Sequence, residues 1–355
     1  MRMVTDKITR TGHERDEGMT IRYLGHLPPE DPLDGYLRFD IAPQLGVRWT
    51  PGGFRVFQFA FCQDVYLYEE AGGAFRVVGK FFPPGRRLPP GLVRPPTETE
   101  FQNLIHLHRL GLNSGDFRIA RPLGYNQWLH DLLMVEHFDG QPLEEVIDQA
   151  IRQNRRSRLF RKLSALAEFL AVLHNRTAGD WTVDFSHPYE YAGRLIESLI
   201  EKRGMARSEA DELYRLRESW RGRSCMWEDS RVLVHGDATP SNFKFGSGRE
   251  VMVFDLERMA WADRVFDLGR LAGELKHFFL RDTGDPWAAE PFIGHFLWEY
   301  CGHFPDRQAA FCSVTRRIPF YLGITLLRIA RNPWVDWGYR RRLLDEAKKN
   351  LGAIQ

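Results

Sequence analysis

Three side chains in this sequence have the types and spacing to do chemistry: Asp237, Asn242 and Asp255. The first two lie in Val-His-Gly-Asp-Ala-Thr-Pro-Ser-Asn at 234–242, the third in Val-Phe-Asp-Leu-Glu at 253–257. Each segment follows or ends a short apolar run, Val232–Val234 and Val251–Phe254. Phosphoryl transfer needs such a set. One carboxylate must face an acceptor hydroxyl and take its proton, while an amide oxygen and a second carboxylate hold Mg²⁺ against a triphosphate. Gly236 would let the backbone turn tightly before Asp237, and the apolar strands would anchor the loop rigidly, since positioning is most of this catalysis. Taken singly, Asp and Asn are also ordinary turn formers; the full set carries the argument.

The elements that must position these residues can be read from apolar periodicity. Phe54–Phe61, Val65–Tyr68 and Phe75–Phe82 alternate like strands, and Ala71-Gly-Gly-Ala74 reads as a hairpin turn, which predicts an antiparallel sheet. Residues 83–96 are too rich in Pro for either regular structure and predict an exposed loop. Residues 100–110 predict a helix with Leu104, Leu107 and Leu110 on one side, stopping at Gly111. Leu132–Val135 is strand-like. Leu163, Leu166, Leu170 and Leu173 form a helical stripe ending near Gly179, and helical patterns continue to the C-terminus. Residues 1–35 are polar and read as an extension. This order predicts an α+β chain, with a small β-rich lobe before a larger, mainly helical one.

The bulk composition agrees. A chain of 355 residues is long for a single core, so two lobes are expected. With 43% hydrophobic and 27% charged residues it has a globular rather than a disordered composition. A net charge of +2 without a Lys/Arg block argues against a nucleic-acid partner. Cys62, Cys225, Cys301 and Cys312 lack paired spacing and read as thiols in a reducing compartment. The polar start lacks a signal-peptide core, and the apolar run Ile318–Leu327 is too short to cross a bilayer. A cytoplasmic protein with no membrane partner is expected.

In protein kinases a catalytic Asp stands five residues before a metal-binding Asn, and a further Asp follows. Asp237 and Asn242 keep that spacing. On Leu-Val-His-Gly-Asp-Ala-Thr-Pro-Ser-Asn at 233–242 and Val-Phe-Asp-Leu-Glu at 253–257, the chain resembles the aminoglycoside phosphotransferase and choline kinase family, which shares the kinase fold. Asp263–Leu268 resembles that family's next motif, with Arg264 where Pro is usual; 133–143 resembles its interlobe linker, and Ala167–His174 its helix ending in Leu-His. The likeness runs from about Val65 to Leu271.

The resemblance implies a two-lobed protein-kinase-like fold: an N-terminal extension at 1–35, a β-rich nucleotide lobe at 36–135 and a helical catalytic and acceptor-binding lobe at 136–355. It implies ATP and Mg²⁺ as cofactors and a small-molecule hydroxyl as acceptor. Asp237 would be the base, with His235 supporting its loop, and Asn242 and Asp255 would be the Mg²⁺ ligands. Lys80 would reach the α- and β-phosphates, held by Glu100, with Glu98 as second choice. Backbone groups at Val135 to His137 would take the adenine, and Asp267 would hydrogen-bond the catalytic loop. Two features depart from the family. No Gly-rich loop precedes Val65, since Thr50-Pro-Gly-Gly-Phe54 lies a strand too early and Phe61-Cys-Gln-Asp64 has no Gly. The region after Leu271 matches nothing specific, so the acceptor stays open. A non-catalytic binding protein of the same fold is the alternative, with protein kinase or aminoglycoside-modifying activity behind it. Residues 256–355 hold 15 Lys/Arg against 12 Asp/Glu, which points toward a neutral or anionic acceptor. The C-terminal tryptophans Trp287, Trp298, Trp334 and Trp337 are expected to pack between helices, and Arg340–Arg342 to form a solvated helix face.

Overall fold

The first strands form within the stretch expected to be a polar extension. β1 (His13–Asp16) and β2 (Met19–His26) pair antiparallel, and β2 then pairs with β3 (Phe54–Phe59), setting Ile21 opposite Phe59. Ile21 buries against Phe57, Phe59 and Leu67, which outweighs the polarity of its neighbours. The helix α1 (Pro32–Tyr36), capped by Asp31, leads into a further helical turn whose Leu37 and Ile41 are fully buried. The computed structural model describes residues 13–16, 19–47, 52–59, 64–73, 75–82 and 94–353. Cys62, most of the Phe61–Asp64 segment, the start of the Thr50–Phe54 segment and the bulk of the Pro-rich loop lie outside them.

The chain divides into two compact units, Met1–Pro142 with Lys244–Glu257, and Leu143–Phe243 with Arg258–Gln355. The boundary expected after residue 135 falls instead after Pro142, and the segment carrying Asp255 belongs to the first unit. Strand pairing is the reason, as the sheets show.

In the first unit, β4 (Val65–Glu70) and β5 (Arg76–Lys80) continue the sheet through a turn in which Gly73 takes φ +76°. The helix α2 (Pro96–Arg109) begins at Pro96 rather than Glu100, because Pro tolerates the first helical position, where no N–H partner is needed. β6 (Phe117–Ile119), β7 (Pro122–Asn126), β8 (Leu132–Glu136) and β9 (Gln141–Pro142) follow. The main sheet runs β1-β2-β3-β4-β5-β8-β7, every neighbour antiparallel. Alternation gives it two apolar faces: Phe54, Val56, Tyr68 and Val77 pack with Leu37 and Ile41 on one side, Phe57, Phe59 and Leu67 on the other.

The second unit opens with α3 (Leu143–Arg152), α4 (Arg156–Thr177), α5 (Ser186–Arg203) and α6 (Arg207–Arg221). Leu163, Leu166, Leu170 and Leu173 are all buried along α4, as their spacing predicts. β10 (Val232–Val234) leads to the short strand β11 (Phe243–Phe245) and then β12 (Val251–Val253). Lys244 and Phe245 pair with β9, and β12 pairs parallel with β6, which ties that segment to the first unit. β13 (Ala260–Ala262) returns to pair with β10. The helices α7 (Val265–Thr283), α8 (Glu290–Cys301), α9 (Arg307–Ala330) and α10 (Trp337–Leu351) complete the unit. α7 and α9 approach closely because Gly269 and Gly273 face Tyr321 and Thr325: a Cβ on Gly273 would lie 2.6 Å from the Thr325 Cβ.

Two surface expectations are corrected. Trp287, Trp334 and Trp337 are 64%, 76% and 71% exposed and Trp298 is 38% exposed, so none is core; the fully buried C-lobe tryptophan is Trp220, whose Nε1 donates to the Leu351 carbonyl. Arg340 is not merely solvated, since it donates to the carbonyls of Ala330, Asn332 and Val335 and satisfies the end of α9. Among the described residues no helix is long and apolar enough to cross a membrane.

Candidate active site

The first unit brings together Lys80, Glu100 and Asp255. Lys80 ends β5, paired with Val65 on one side and Leu133 on the other. Its ammonium donates to both Glu100 oxygens at 2.8 Å and to Asp255 Oδ1 at 3.1 Å. Glu100 lies one turn into α2 and is buried, while Glu98 pairs with Arg94 instead. Asp255 follows β12 in the left-handed region at φ +64°, a conformation Asp tolerates better than most residues. Its N–H donates to Glu100 Oε1 at 3.1 Å, and Asn103 Nδ2 donates to the next carbonyl, Leu256, at 2.7 Å. One buried carboxylate thus fixes both the lysine and the turn carrying Asp255. Burial alone would depress the Lys80 ammonium; Glu100 and Asp255 outweigh it and hold it well above the usual lysine range. Val135 sits within the β8 ladder, opposite Val78 and Pro122, and His137 lies just beyond, its N–H donating to the Arg76 carbonyl at 3.4 Å.

The second unit builds the loop of Asp237. After β10 the chain passes His235, which is buried, and Gly236 at φ +80°. A Cβ on Gly236 would lie 2.0 Å from the Arg258 carbonyl oxygen, so only glycine fits. Asp267, on the first turn of α7, clamps the loop: its Oδ2 accepts from the His235 N–H at 2.7 Å and its Oδ1 from the Gly236 N–H at 3.0 Å. Oδ2 also meets His174 Nε2 at 3.2 Å, and His174 Nδ1 meets the Tyr300 hydroxyl at 2.9 Å. Burial would raise the Asp267 carboxyl, but His174 and the His235 amide bring it below the usual carboxylate range. Burial lowers His174 and keeps it neutral. Asp267 is therefore a positioning group.

Asp237 is held from behind. Its N–H donates to His235 Nδ1 at 3.3 Å, and its carbonyl accepts from the Thr239 N–H at 2.7 Å and from Asn242 Nδ2 at 2.9 Å. That last bond uses the Asn242 amide nitrogen and does not involve the amide oxygen. The Asn242 amide oxygen and the Asp255 carboxylate are each of the oxygen-donor type that Mg²⁺ takes. Among the described residues no group of three or more His, Cys, Asp or Glu could hold a metal instead.

The side chains facing Asp237 were not legible in the sequence. Arg258 Nη1 lies 3.9 Å from Oδ2, while Arg270 Nε and Arg328 Nη2 lie 4.0 and 3.8 Å from Oδ1. Oδ1 is buried and accepts no hydrogen bond. Arg328 also pairs with Glu274 at 2.7 Å, a carboxyl that burial pushes upward. Burial and the neighbouring Arg328 lower the buried Arg270. Below this cluster Arg317, 1% exposed, bridges Asp263 at 2.7 Å and Asp229 at 2.6 Å, and Arg264 joins Asp229 at 3.1 Å. That network explains an arginine at position 264, where the resemblance led one to expect proline.

Solved structures share this architecture. A choline kinase from Cryptosporidium parvum superposes with a TM-score of 0.59 at 12% identity, over 90% of this chain and 92% of that one. An ethanolamine kinase from Plasmodium vivax gives 0.56 at 12% identity, over 90% and 88%. The enzyme of a streptomycin–ATP ternary complex gives 0.52 at 14% identity, over 92% and 96%. At these identities the likeness is one of fold, and that fold is kinase-like. No curated protein matches the sequence significantly. The model of the phosphotransferase enzyme family matches residues 61–307, well over half of the chain and including Lys80, Glu100, Asp237, Asn242, Asp255 and Asp267. The chain belongs to the phosphotransferase enzyme family.

Proposed function

We propose that this phosphotransferase moves the terminal phosphoryl group of ATP to a hydroxyl of a small molecule. The observation that carries the reading is the Asp237 carboxylate: its loop is fixed by Asp267, its backbone by His235 and Asn242, and its buried Oδ1 is left without a hydrogen bond. A group so fixed is prepared to orient a hydroxyl and accept its proton. Lys80, steadied by Glu100, would contact the α- and β-phosphates, and the backbone at Val135 to His137 would receive the adenine. Asn242 and Asp255 would hold Mg²⁺, which neutralises phosphate charge when bound. The protein's own share is to align donor and acceptor and to take the proton at Asp237.

Calorimetry of ATP binding with and without Mg²⁺, on the wild type and on Asp255→Ala, tests this. The wild type should bind MgATP, and the variant should lose at least about tenfold in affinity, the order expected when one ligand to a bound ion is removed. Equal affinity in the variant removes Asp255 from the metal site. A wild type that binds neither ATP nor GTP leaves a non-catalytic member of the fold.

A further inference from the structure

Two helices of the second unit hold side chains against the Asp237 carboxylate: α7 with Arg270 and Glu274, and α9 with Arg328. Arg270 Nε stands 4.0 Å and Arg328 Nη2 3.8 Å from Asp237 Oδ1, and Arg328 Nη2 also donates to Glu274 Oε1 at 2.7 Å. Helical spacing explains the meeting. Arg270 and Glu274 are one turn apart and share a face of α7. Arg328 follows two turns after Tyr321, which packs on Gly269. The close approach that Gly269 and Gly273 permit therefore brings the three side chains together, from segments that no motif of the sequence connects.

The set carries no formal surplus of charge to recruit an ion, since two guanidinium groups face two carboxylates. Arg328 is committed to Glu274, and Arg270 also meets Tyr191. What the set supplies is orientation. The Asp237 backbone is hydrogen-bonded on both sides, yet its buried Oδ1 accepts no hydrogen bond. The donors facing it stop short, and Arg270 Nε and Nη1 and Arg328 Nε are buried without a hydrogen bond. A hydrogen bond to Oδ1 would fix the carboxylate but occupy a lone pair that a proton needs. Cations just beyond that distance, largely out of water, attract the oxygen and leave its lone pairs open. Arg258 meets Oδ2 at 3.9 Å from a side chain that is more than half exposed, where such attraction is weak. Glu274, 7% exposed, in turn restrains the long Arg328 side chain, which would otherwise have many rotamers to sample.

Resting on the reading of Asp237 as the base, we infer that Arg328, anchored by Glu274, is a positioning residue for phosphoryl transfer, with Arg270 as its counterpart on α7. Together they aim the Asp237 carboxylate at the acceptor hydroxyl without hydrogen-bonding the oxygen that takes its proton. Glu274 acts at one remove, through Arg328. In the step they serve, the acceptor oxygen forms a bond to the γ-phosphorus, the bond from that phosphorus to the β–γ bridging oxygen breaks, and ADP leaves with the electron pair. The hydroxyl proton passes to Asp237 Oδ1.

The test uses water, the smallest hydroxyl acceptor, and reads phosphate release from MgATP. The variants are Arg328→Lys, Glu274→Gln, and Glu274→Gln combined with Arg328→Gln; each is also crystallised. Removing both members of the pair leaves Arg270 opposite Asp237 and strands no buried charge, so the double variant should fold. In it, Asp237 Oδ1 should move by about 1 Å or more and kcat should fall about 10²-fold, the order that such a misplacement costs. KM for MgATP should stay within about twofold, as it does when only the chemical step is impaired. Arg328→Lys keeps the charge and should lose less kcat, with the carboxylate in place. A merely structural role would lower the thermal midpoint without turning the carboxylate. An unmoved carboxylate in the double variant overturns the inference. A moved carboxylate with undiminished kcat keeps the placement and removes Asp237 as the base, so the reading above fails instead. If the wild type releases no phosphate, the crystal structures decide the inference, and calorimetry of ATP binding judges the reading separately. Should the double variant fail to fold, Glu274→Gln decides: an unmoved carboxylate and unchanged kcat with the anchor gone overturn the inference.

Discussion

Asp237 combines two properties that rarely coincide. Its backbone is over-determined, with the N–H and carbonyl bonded to three neighbours, while one carboxylate oxygen is buried without a hydrogen bond. Buried polar atoms are normally satisfied, and this exception fits the proposed role of receiving an acceptor hydroxyl. Replacing Asp237 by Asn preserves shape and removes the proton acceptor of the proposed reaction. Turnover should fall about 10³-fold, within the range general bases contribute, while MgATP affinity should stay within about twofold in calorimetry. Undiminished turnover would move the base elsewhere. Lys80 is constrained in another manner: two bonds from its ammonium to the buried Glu100 fix where it points. The spacing of Asp237 and Asn242 was legible because a single loop carries both. Arg258, Arg270 and Arg328 were not legible around that loop, because nothing local in their segments distinguishes them from any other arginine.

At the scale of elements, the loop depends on α7, which supplies Asp267, and α7 depends on its closeness to α9. Gly269 and Gly273 are what permit that approach. Gly273→Ala would set a Cβ 2.6 Å from the Thr325 Cβ, forcing the helices apart at a cost of about 1–3 kcal/mol. The thermal midpoint should drop by about 5 °C. Gly294, in the middle of α8, is an internal control: a Cβ there meets nothing within 4 Å, so Gly294→Ala should be neutral or stabilising by up to about 1 kcal/mol. If both variants melt alike, the glycine contact does not set the α7–α9 spacing. Periodicity predicted the helix α4 and the strands from β3 to β5, since amphipathic faces repeat within one element. It missed β2, whose apolar residues are few and gain their meaning only from the Phe57–Phe59 face they cover. It also started α2 too late, reading Pro96 as a breaker where it serves as a first-turn residue.

For the whole molecule, stability should depend on pH in two separate windows. Burial chiefly, and then Arg281, lower His277 from its ordinary 6.5 to about 4. Below pH 6.5 the unfolded chain therefore binds a proton that the folded one refuses, and stability falls as pH falls toward 4. Between pH 6.5 and 5 this should amount to about 1–2 kcal/mol in denaturant unfolding, and His277→Gln should flatten that slope. An unchanged slope in the variant would show that His277 titrates normally. Asp229, beside Arg317 and Arg264, and Asp267, beside His174, have depressed carboxyls despite burial, so their contribution is present above pH 3.8 and is lost only as pH drops below it. The sequence by itself determined the α+β order and the phosphotransferase family and supplied the proposed Asp237–Asn242–Asp255 set, because those signals lie in short segments whose local periodicity and turn chemistry are self-contained. Only the tertiary structure decided that Glu100 rather than Glu98 holds Lys80, that Asp255 belongs to the unit of Lys80, and that arginines from three separate segments converge on Asp237. Those facts depend on strand pairing and helix packing between residues far apart in the chain.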